Sequence, residues 1–154
     1  MIRMTKQADY GIVLMTHMAR QPERLFNAPE LAGEANLSQP MVSKILKPLA
    51  RAGLLESQRG VNGGYSLART AEEISVADII AAVDGPIAIT ECIDDGPGAC
   101  SQEALCPVRG NWQLINEVIR RGLAGISLAE MTQPMTHLVN LGRGDTETEL
   151  NETA

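Results

Sequence analysis

Three cysteines are the residues of this chain whose type and spacing point most directly to chemistry. They are Cys92, Cys100 and Cys106, with seven residues between the first two and five between the last two. Zinc sites usually take ligands in pairs roughly two to four residues apart, so this wider spacing speaks against a zinc knuckle. Iron-sulfur clusters bind thiolates, usually four, and three cysteines leave one position for another ligand. The spacing therefore favours a [2Fe-2S] or [4Fe-4S] cluster.

The cysteines lie in a segment that we expect to be a loop. Residues 91–106 are rich in Asp, Gly, Ser and Cys and follow neither helical nor strand periodicity. A free cysteine with no chemical role prefers burial. The chain begins without the apolar core of a signal peptide, so we expect a cytoplasmic protein, where metal or redox chemistry is favoured over disulfides. The histidines His17 and His137 lie elsewhere, and we expect structural roles for them.

The two halves of the chain differ in charge. The net charge is −6, but residues 1–70 hold nine Lys and Arg against five Asp and Glu, whereas residues 71–154 hold four against fourteen. Between residues 36 and 69, five cations face the single acidic residue Glu56. A local basic surplus of this kind is typical of a surface that contacts phosphates.

Three helices are predicted in the amino-terminal part. Thr5, Asn27 and Ser38 each precede an amphipathic stretch and are expected to cap it, and Gly53 ends the third helix. The second and third helices make a helix-turn-helix. Pro48 falls inside the third helix, where proline removes a hydrogen bond and costs about 3 kcal/mol, so we expect a kink or an early end there.

A wing is predicted next. Residues 54–59 and 65–69 read as two strands, joined by a glycine-rich turn in which Asn-Gly-Gly supplies positive backbone angles. Ser75 and Asp78 form a capping box for a fourth helix, which a Gly-Pro pair ends.

The carboxy-terminal part contains a second amphipathic helix. Apolar residues recur at helical spacing over residues 108–122, and a helix with one apolar stripe needs a partner surface. A short helix capped by Ser127 and Glu130 follows. Residues 135–154 are acidic and are expected to be disordered. The longest apolar runs are far shorter than the roughly 18 to 20 residues of a membrane span, so no membrane partner is expected.

The predicted third helix and wing supply candidate contacts to double-stranded DNA. A helix-turn-helix places its second helix in the major groove, so polar side chains opposite its apolar stripe can reach bases or phosphates. An ordinary solvated helix face is the alternative. The DNA-binding candidates are Ser38, Gln39, Ser43, Lys44, Lys47 and Arg59. We find no catalytic motif, because the glycines of the wing precede a strand where a phosphate loop would precede a helix; the protein is not expected to be an enzyme.

Four motifs in this order resemble a known family. They are RMTKQADYGIVLM, SQPMVSKILKPLARAGLL, RGVNGGYSLAR and the three loop cysteines. Over about residues 1–135 the chain resembles the iron-sulfur-sensing winged-helix repressors, the family of IscR and NsrR. Within that family it is most similar to regulators of the SUF cluster-assembly operon.

The resemblance implies a homodimer joined through residues 108–122, with the cluster loop near the partner's DNA-binding domain. The three cysteines carry over as cluster ligands. Where the IscR branch has a histidine ligand, this chain has Arg109. Asp9 matches an aspartate of the NsrR branch that the other subunit contributes, so Asp9 is the candidate fourth ligand. The alternative is a solvent-facing carboxylate favoured by the helix dipole.

The predicted fold is mainly α with a small β-wing, a winged helix-turn-helix followed by a long dimerisation helix. The function implied is a cluster-dependent repressor of iron-sulfur cluster assembly genes. A cluster-independent regulator with a thiol redox switch or zinc site, and an iron-sulfur cluster carrier, remain alternatives. The expected parts are a DNA-binding domain (1–84), a cysteine loop (85–107), a dimerisation helix with a short helix (108–134) and an acidic tail (135–154).

Overall fold

Six helices and one two-stranded sheet make up the described part of the chain. The computed structural model describes residues 4–90, 93 and 105–133. In chain order the elements are α1 Lys6–Ala19, α2 Ala28–Glu34, α3 Gln39–Arg51, β1 Leu55–Gln58, β2 Gly64–Leu67, α4 Val76–Asp84, α5 Arg109–Ala124 and α6 Leu128–Thr132. This order confirms the mainly α fold with a β-wing. Over these residues, no helix has the length and apolar character needed to cross a membrane.

Side-chain caps begin four of the helices. Thr5, Asn27, Ser75 and Ser127 each accept a hydrogen bond from the backbone N–H three residues further on, at 2.9–3.2 Å. Ser38 is the N-cap residue of α3 as predicted, but its side chain makes no capping hydrogen bond. Pro40 occupies the second helical position and has no N–H to donate. The Ser38 hydroxyl is left exposed.

Helix α3 continues past Pro48 to Arg51, so the predicted early end is wrong. Pro48 lies in the last turn, where the missing N–H leaves only the Lys44 carbonyl without its helical bond. The end of the helix is closed instead by Gly53, whose φ of +73° suits glycine. The amides of Gly53 and Leu54 donate back to carbonyls of the last turn at 3.1 and 3.0 Å.

A single apolar core unites the described helices. Fully buried side chains come from α1, α2, α3, α4 and α6 and from the strand connections: Leu14, Met15, Met18, Phe26, Leu31, Ile45, Leu46, Leu49, Leu54, Ile74, Ile79 and Leu128. Burying each of these contributes roughly 1.5–3 kcal/mol. The last helix returns to this core, because the amide of Leu128 donates to the carbonyl of Ile74 at 2.7 Å.

The wing is attached to the helix-turn-helix by backbone pairing. Strands β1 and β2 are antiparallel, with Leu55 opposite Leu67. On the other side of β2, Phe26 pairs with Tyr65 through N–H to carbonyl bonds of 2.9 and 2.8 Å. The sequence analysis did not predict this pairing, because Phe26 pairs as a single residue and a single residue cannot show the alternating pattern of a strand. Phe26 immediately precedes Asn27, the cap of α2.

The wing glycines serve a different purpose from the one predicted. Among them, only Gly60 has a positive φ, of +119°, so the prediction that Asn-Gly-Gly supplies positive angles is wrong. Gly63 and Gly64 are needed because other backbone comes close. A Cβ on Gly63 would lie 2.3 Å from the carbonyl oxygen of Gln58, and one on Gly64 would lie 2.7 Å from that of Phe26.

An ionic cluster links α1 to α2. Glu34 accepts hydrogen bonds from the Arg24 guanidinium at 2.7 Å and pairs with the His17 ring at 2.5 Å. Arg24 also pairs with Glu30 and lies over the Phe26 ring, 4.4 Å from its centre. The bond from Arg24, and then that from His17, lowers the pKa of Glu34. His17 therefore has a structural contact with α2.

We expect Gly64→Val to destabilise the protein by about 2 kcal/mol, because the new side chain must push Phe26 away from the sheet. Gly33→Ala is the matched control: a Cβ there meets no atom within 4 Å, and alanine favours the helix. Urea denaturation followed by circular dichroism measures both. Equal stability of Gly64→Val and the wild type would contradict the close approach.

Candidate nucleic-acid interface and cysteine segment

Helix α3 has one fully buried side and one cationic side. Its buried residues are Val42, Ile45, Leu46 and Leu49. Lys44, Lys47 and Arg51 are exposed and follow one another at helical spacing. In the described part of the chain, none of these three cations has an intramolecular ion pair. They are therefore available to phosphate oxygens.

The start of α3 adds neutral polar groups to this surface. Ser38 and Gln39 are exposed, whereas Ser43 is half-buried beside the core. Because the first turn carries no acidic residue, the amino-terminal end of the helix keeps its partial positive charge. Of the predicted DNA-contact residues on α3, the structure thus exposes four and partly covers Ser43.

Arg59 is a residue of the wing, on the side that faces the helix-turn-helix. It directly follows β1, is exposed, and lines an open groove together with Asn27 and Tyr65. Val61 at the wing tip is also fully exposed. No ion pair engages Arg59 among the residues described, and the Phe26–Tyr65 pairing fixes this part of the wing relative to α2.

Of the three cysteines, only Cys106 falls within the described residues. It is half-buried and has a free thiol, and its carbonyl accepts the N–H of Arg109 in the first turn of α5 at 3.4 Å. Cys92 and Cys100 lie outside the described residues, as does the predicted acidic tail. Over the described ranges, no three His, Cys, Asp or Glu side chains come together as a metal site.

Asp9 is exposed in the first turn of α1. Its carboxylate has no hydrogen bond or ion pair to any other described residue. The start of α1 is tied to the end of α4, because the Thr5 hydroxyl donates to Asp84 Oδ2 at 2.6 Å. Asp9 is thus one helical turn from the point where the chain leaves α4 for the cysteine-containing residues 91–106, which we call the cysteine segment.

Helix α5 carries an uncovered apolar stripe, which we call the α5 stripe: Val108, Trp112, Ile115 and Val118. Its side chains are 37–63% exposed. The helix spans Arg109–Ala124, two residues beyond the predicted end. On its polar side, Glu117 pairs with Arg120 at 2.8 Å and with Arg121 at 2.5 Å, which lowers the pKa of Glu117 to about 2.

Beside the α5 stripe lies a buried asparagine that the sequence analysis did not single out. Asn116 is 8% exposed and bonds to the backbone of Ile87 and Ile89, which follow α4. Its sequence signal is slight: a polar residue lies next to an apolar stripe, where a solvated position is the ordinary interpretation.

A family model named Rrf2 and described as an iron-dependent transcriptional regulator matches residues 4–134. The chain belongs to the Rrf2 family of transcriptional regulators. The match runs from α1 through α6. The assignment confirms the predicted resemblance and the prediction that the protein is not an enzyme, and regulators of this family bind DNA.

Individual relatives agree with the family assignment. The chain is 36% identical over 122 residues to Protein aau3 of Rhizobium meliloti, covering 79% of this chain and 75% of that protein. Its fold is similar to that of T. potens IscR, with a TM-score of 0.64, 27% identity and coverage of 84% and 85% of the two chains. The oxidized form of Staphylococcus aureus CymR gives a TM-score of 0.65, 28% identity and coverage of 88% and 100%.

Proposed function

We propose that this Rrf2-family protein is a homodimeric repressor whose DNA binding depends on an iron-sulfur cluster and whose targets are cluster-assembly genes. The observation that carries the proposal is the set of three cysteines within fifteen residues, in a family described as iron-dependent. The similarity to IscR supports the same interpretation. The domain division predicted from the sequence remains part of this proposal.

The DNA-contact surface in the proposal combines α3 and the wing. Lys44 and Lys47 bind the duplex from the exposed side of α3, and Ser38 and Gln39 contribute hydrogen-bonding groups at its start. Arg59 reaches the backbone or an adjacent groove from the wing. The support is physical: these cations are exposed and have no acidic partner in the described part of the chain, so binding phosphate requires no ion pair to break.

The dimer in the proposal forms through the α5 stripe. Val118 is 63% exposed and Ile115 is 43% exposed, and Leu114 beside Val118 is 68% exposed. Apolar side chains in a row at this spacing are typical of a helix-to-helix interface. A two-fold symmetric dimer would present two copies of α3 to a symmetric operator.

The cluster ligands in the proposal are Cys92, Cys100 and Cys106 with Asp9 of the other subunit. Three thiolates and one carboxylate are a donor set that suits iron. The presence or the oxidation state of a bound cluster would change with the availability of iron or with oxidants. Because an effector acts only by favouring one of two states, an Asp9 bond between chains would make DNA binding depend on the cluster.

A thiol switch without a cluster is the second candidate. The similar structure of Staphylococcus aureus CymR is described as an oxidized form, and Cys106 has a free, half-buried thiol. In that case the cysteines would respond to oxidants by changing their own oxidation state.

We expect Lys44→Ala to weaken binding to a duplex from the protein's own upstream region. A phosphate contact would lower the slope of log affinity against log salt by about one, whereas a base contact would reduce the preference over a scrambled duplex. Fluorescence anisotropy measures both effects. Arg120→Ala is the matched control, because that cation is already paired with Glu117. Unchanged affinity and salt slope for Lys44→Ala would contradict the interface.

We expect Val118→Glu to convert the dimer to a monomer of 16.5 kDa in analytical ultracentrifugation, because a charge would be placed in an apolar interface. Gln113→Glu places the same charge on an exposed position of α5 outside the stripe and is expected to remain dimeric. A Val118→Glu variant that stays dimeric would exclude the α5 stripe as the interface.

We expect protein purified without oxygen to be coloured, to contain iron and acid-labile sulfide, and to lose both in the Cys92→Ser, Cys100→Ser, Cys106→Ser triple variant. Asp9→Asn should release iron to a chelator faster than the wild type if Asp9 is a ligand. Visible absorption with iron and sulfide assays measures these effects. A colourless protein with stoichiometric zinc would refute cluster binding, and operator binding that responds to reversible thiol oxidation would support the second candidate.

A further inference from the structure

Asn116, at 8% exposed, is the one buried polar residue among those that the structure describes. Both ends of its amide are used. Its Nδ2 donates to the carbonyl of Ile87 at 2.8 Å, and its Oδ1 accepts the N–H of Ile89 at 3.1 Å. The Asn116 amide thus binds the backbone of two residues that are two positions apart, in the way that a neighbouring β-strand would. An apolar residue here would leave two backbone groups without partners.

The backbone that Asn116 holds is the entry to the cysteine segment. Ile89 precedes Cys92 by three positions in the sequence. At the other end of the segment, Cys106 is bonded through its carbonyl to the first turn of α5 at Arg109. Both ends of the segment are therefore attached to the same helix, one by a side chain and one by chain continuity.

We propose that Asn116 is a positioning residue that fixes the entry of the cysteine segment on α5, the helix that carries the stripe. The inference rests on the proposed function, because it assigns Asn116 a part in holding the cluster ligands relative to the dimer. Its Ile87 partner packs against the apolar core, so one contact joins core, cysteine segment and α5.

Two variants separate the contributions of the two hydrogen bonds that Asn116 makes to Ile87 and Ile89, which we call the Asn116 clamp. Asn116→Ala removes both bonds. Asn116→Asp keeps an acceptor for the Ile89 N–H but places a carboxylate oxygen opposite the Ile87 carbonyl, where the donor stood. Gln113→Glu makes the same amide-to-carboxylate change at an exposed position of α5 and serves as the matched control.

The first measurement uses the metal-free protein. Hydrogen exchange followed by NMR should show the Ile89 amide exchanging up to about tenfold faster in Asn116→Ala than in the wild type, since tenfold corresponds to about 1.4 kcal/mol, the upper part of the range for a net hydrogen bond. Gln113→Glu should match the wild type. Should Asn116→Ala fail to fold, Asn116→Asp decides: repulsion between its carboxylate and the Ile87 carbonyl should push this backbone away from α5, so the Ile89 amide should exchange faster than in the wild type although an acceptor is still present. Wild-type protection in the folded variants overturns the clamp.

The second measurement uses protein reconstituted with iron and sulfide without oxygen, at pH 8. Asn116→Asp should change the visible circular dichroism and release iron to EDTA several-fold faster at unchanged far-ultraviolet signal, which a purely structural role would not do. If the wild type binds iron and Asn116→Asp behaves identically, the positioning role is overturned and the proposed function stands. If the wild type takes up no iron, the proposed function is overturned, and amide exchange still decides the clamp.

Discussion

Burial of the apolar side of α3 is the constraint on which the rest of the structure depends. Ile45, Leu46 and Leu49 are fully buried, so the helix has only one rotation about its axis that satisfies the core. That rotation places Lys44 and Lys47 in solvent, because at about 100° per residue both positions fall on the side of the helix away from the centre of the buried set. The cationic surface is therefore a consequence of packing.

The wing derives its position from the same core. Phe26 is fully buried, and its backbone pairs with Tyr65 of β2, so the hairpin cannot turn freely with respect to α2. A two-stranded hairpin alone is marginally stable in water. The additional pairing, with Gly64 allowing the close approach, makes the wing a rigid extension of the helix-turn-helix and holds Arg59 beside the start of α2.

The carboxy-terminal helices are also bound into this core. Leu128 of α6 is fully buried and bonds to the backbone ahead of α4, while Asn116 of α5 holds the segment after α4. The apolar stripe, the start of the cysteine segment and the DNA-reading half therefore share one framework. Under the proposed function, a signal at the cysteines would require no separate moving domain, because densely packed elements transmit strain to one another.

The sequence by itself determined what depends on neighbours along the chain: the helix starts at Thr5 and Asn27, the buried stripe and exposed cations of α3, and the glycine-rich wing. Only tertiary structure decided the contacts between distant positions. Asn116 meets Ile89 and Ile87 across 27 and 29 positions, and Phe26 finds Tyr65 through one isolated bridge. Such pairings leave no periodic pattern, because their partners become neighbours only after the core has brought the chain together.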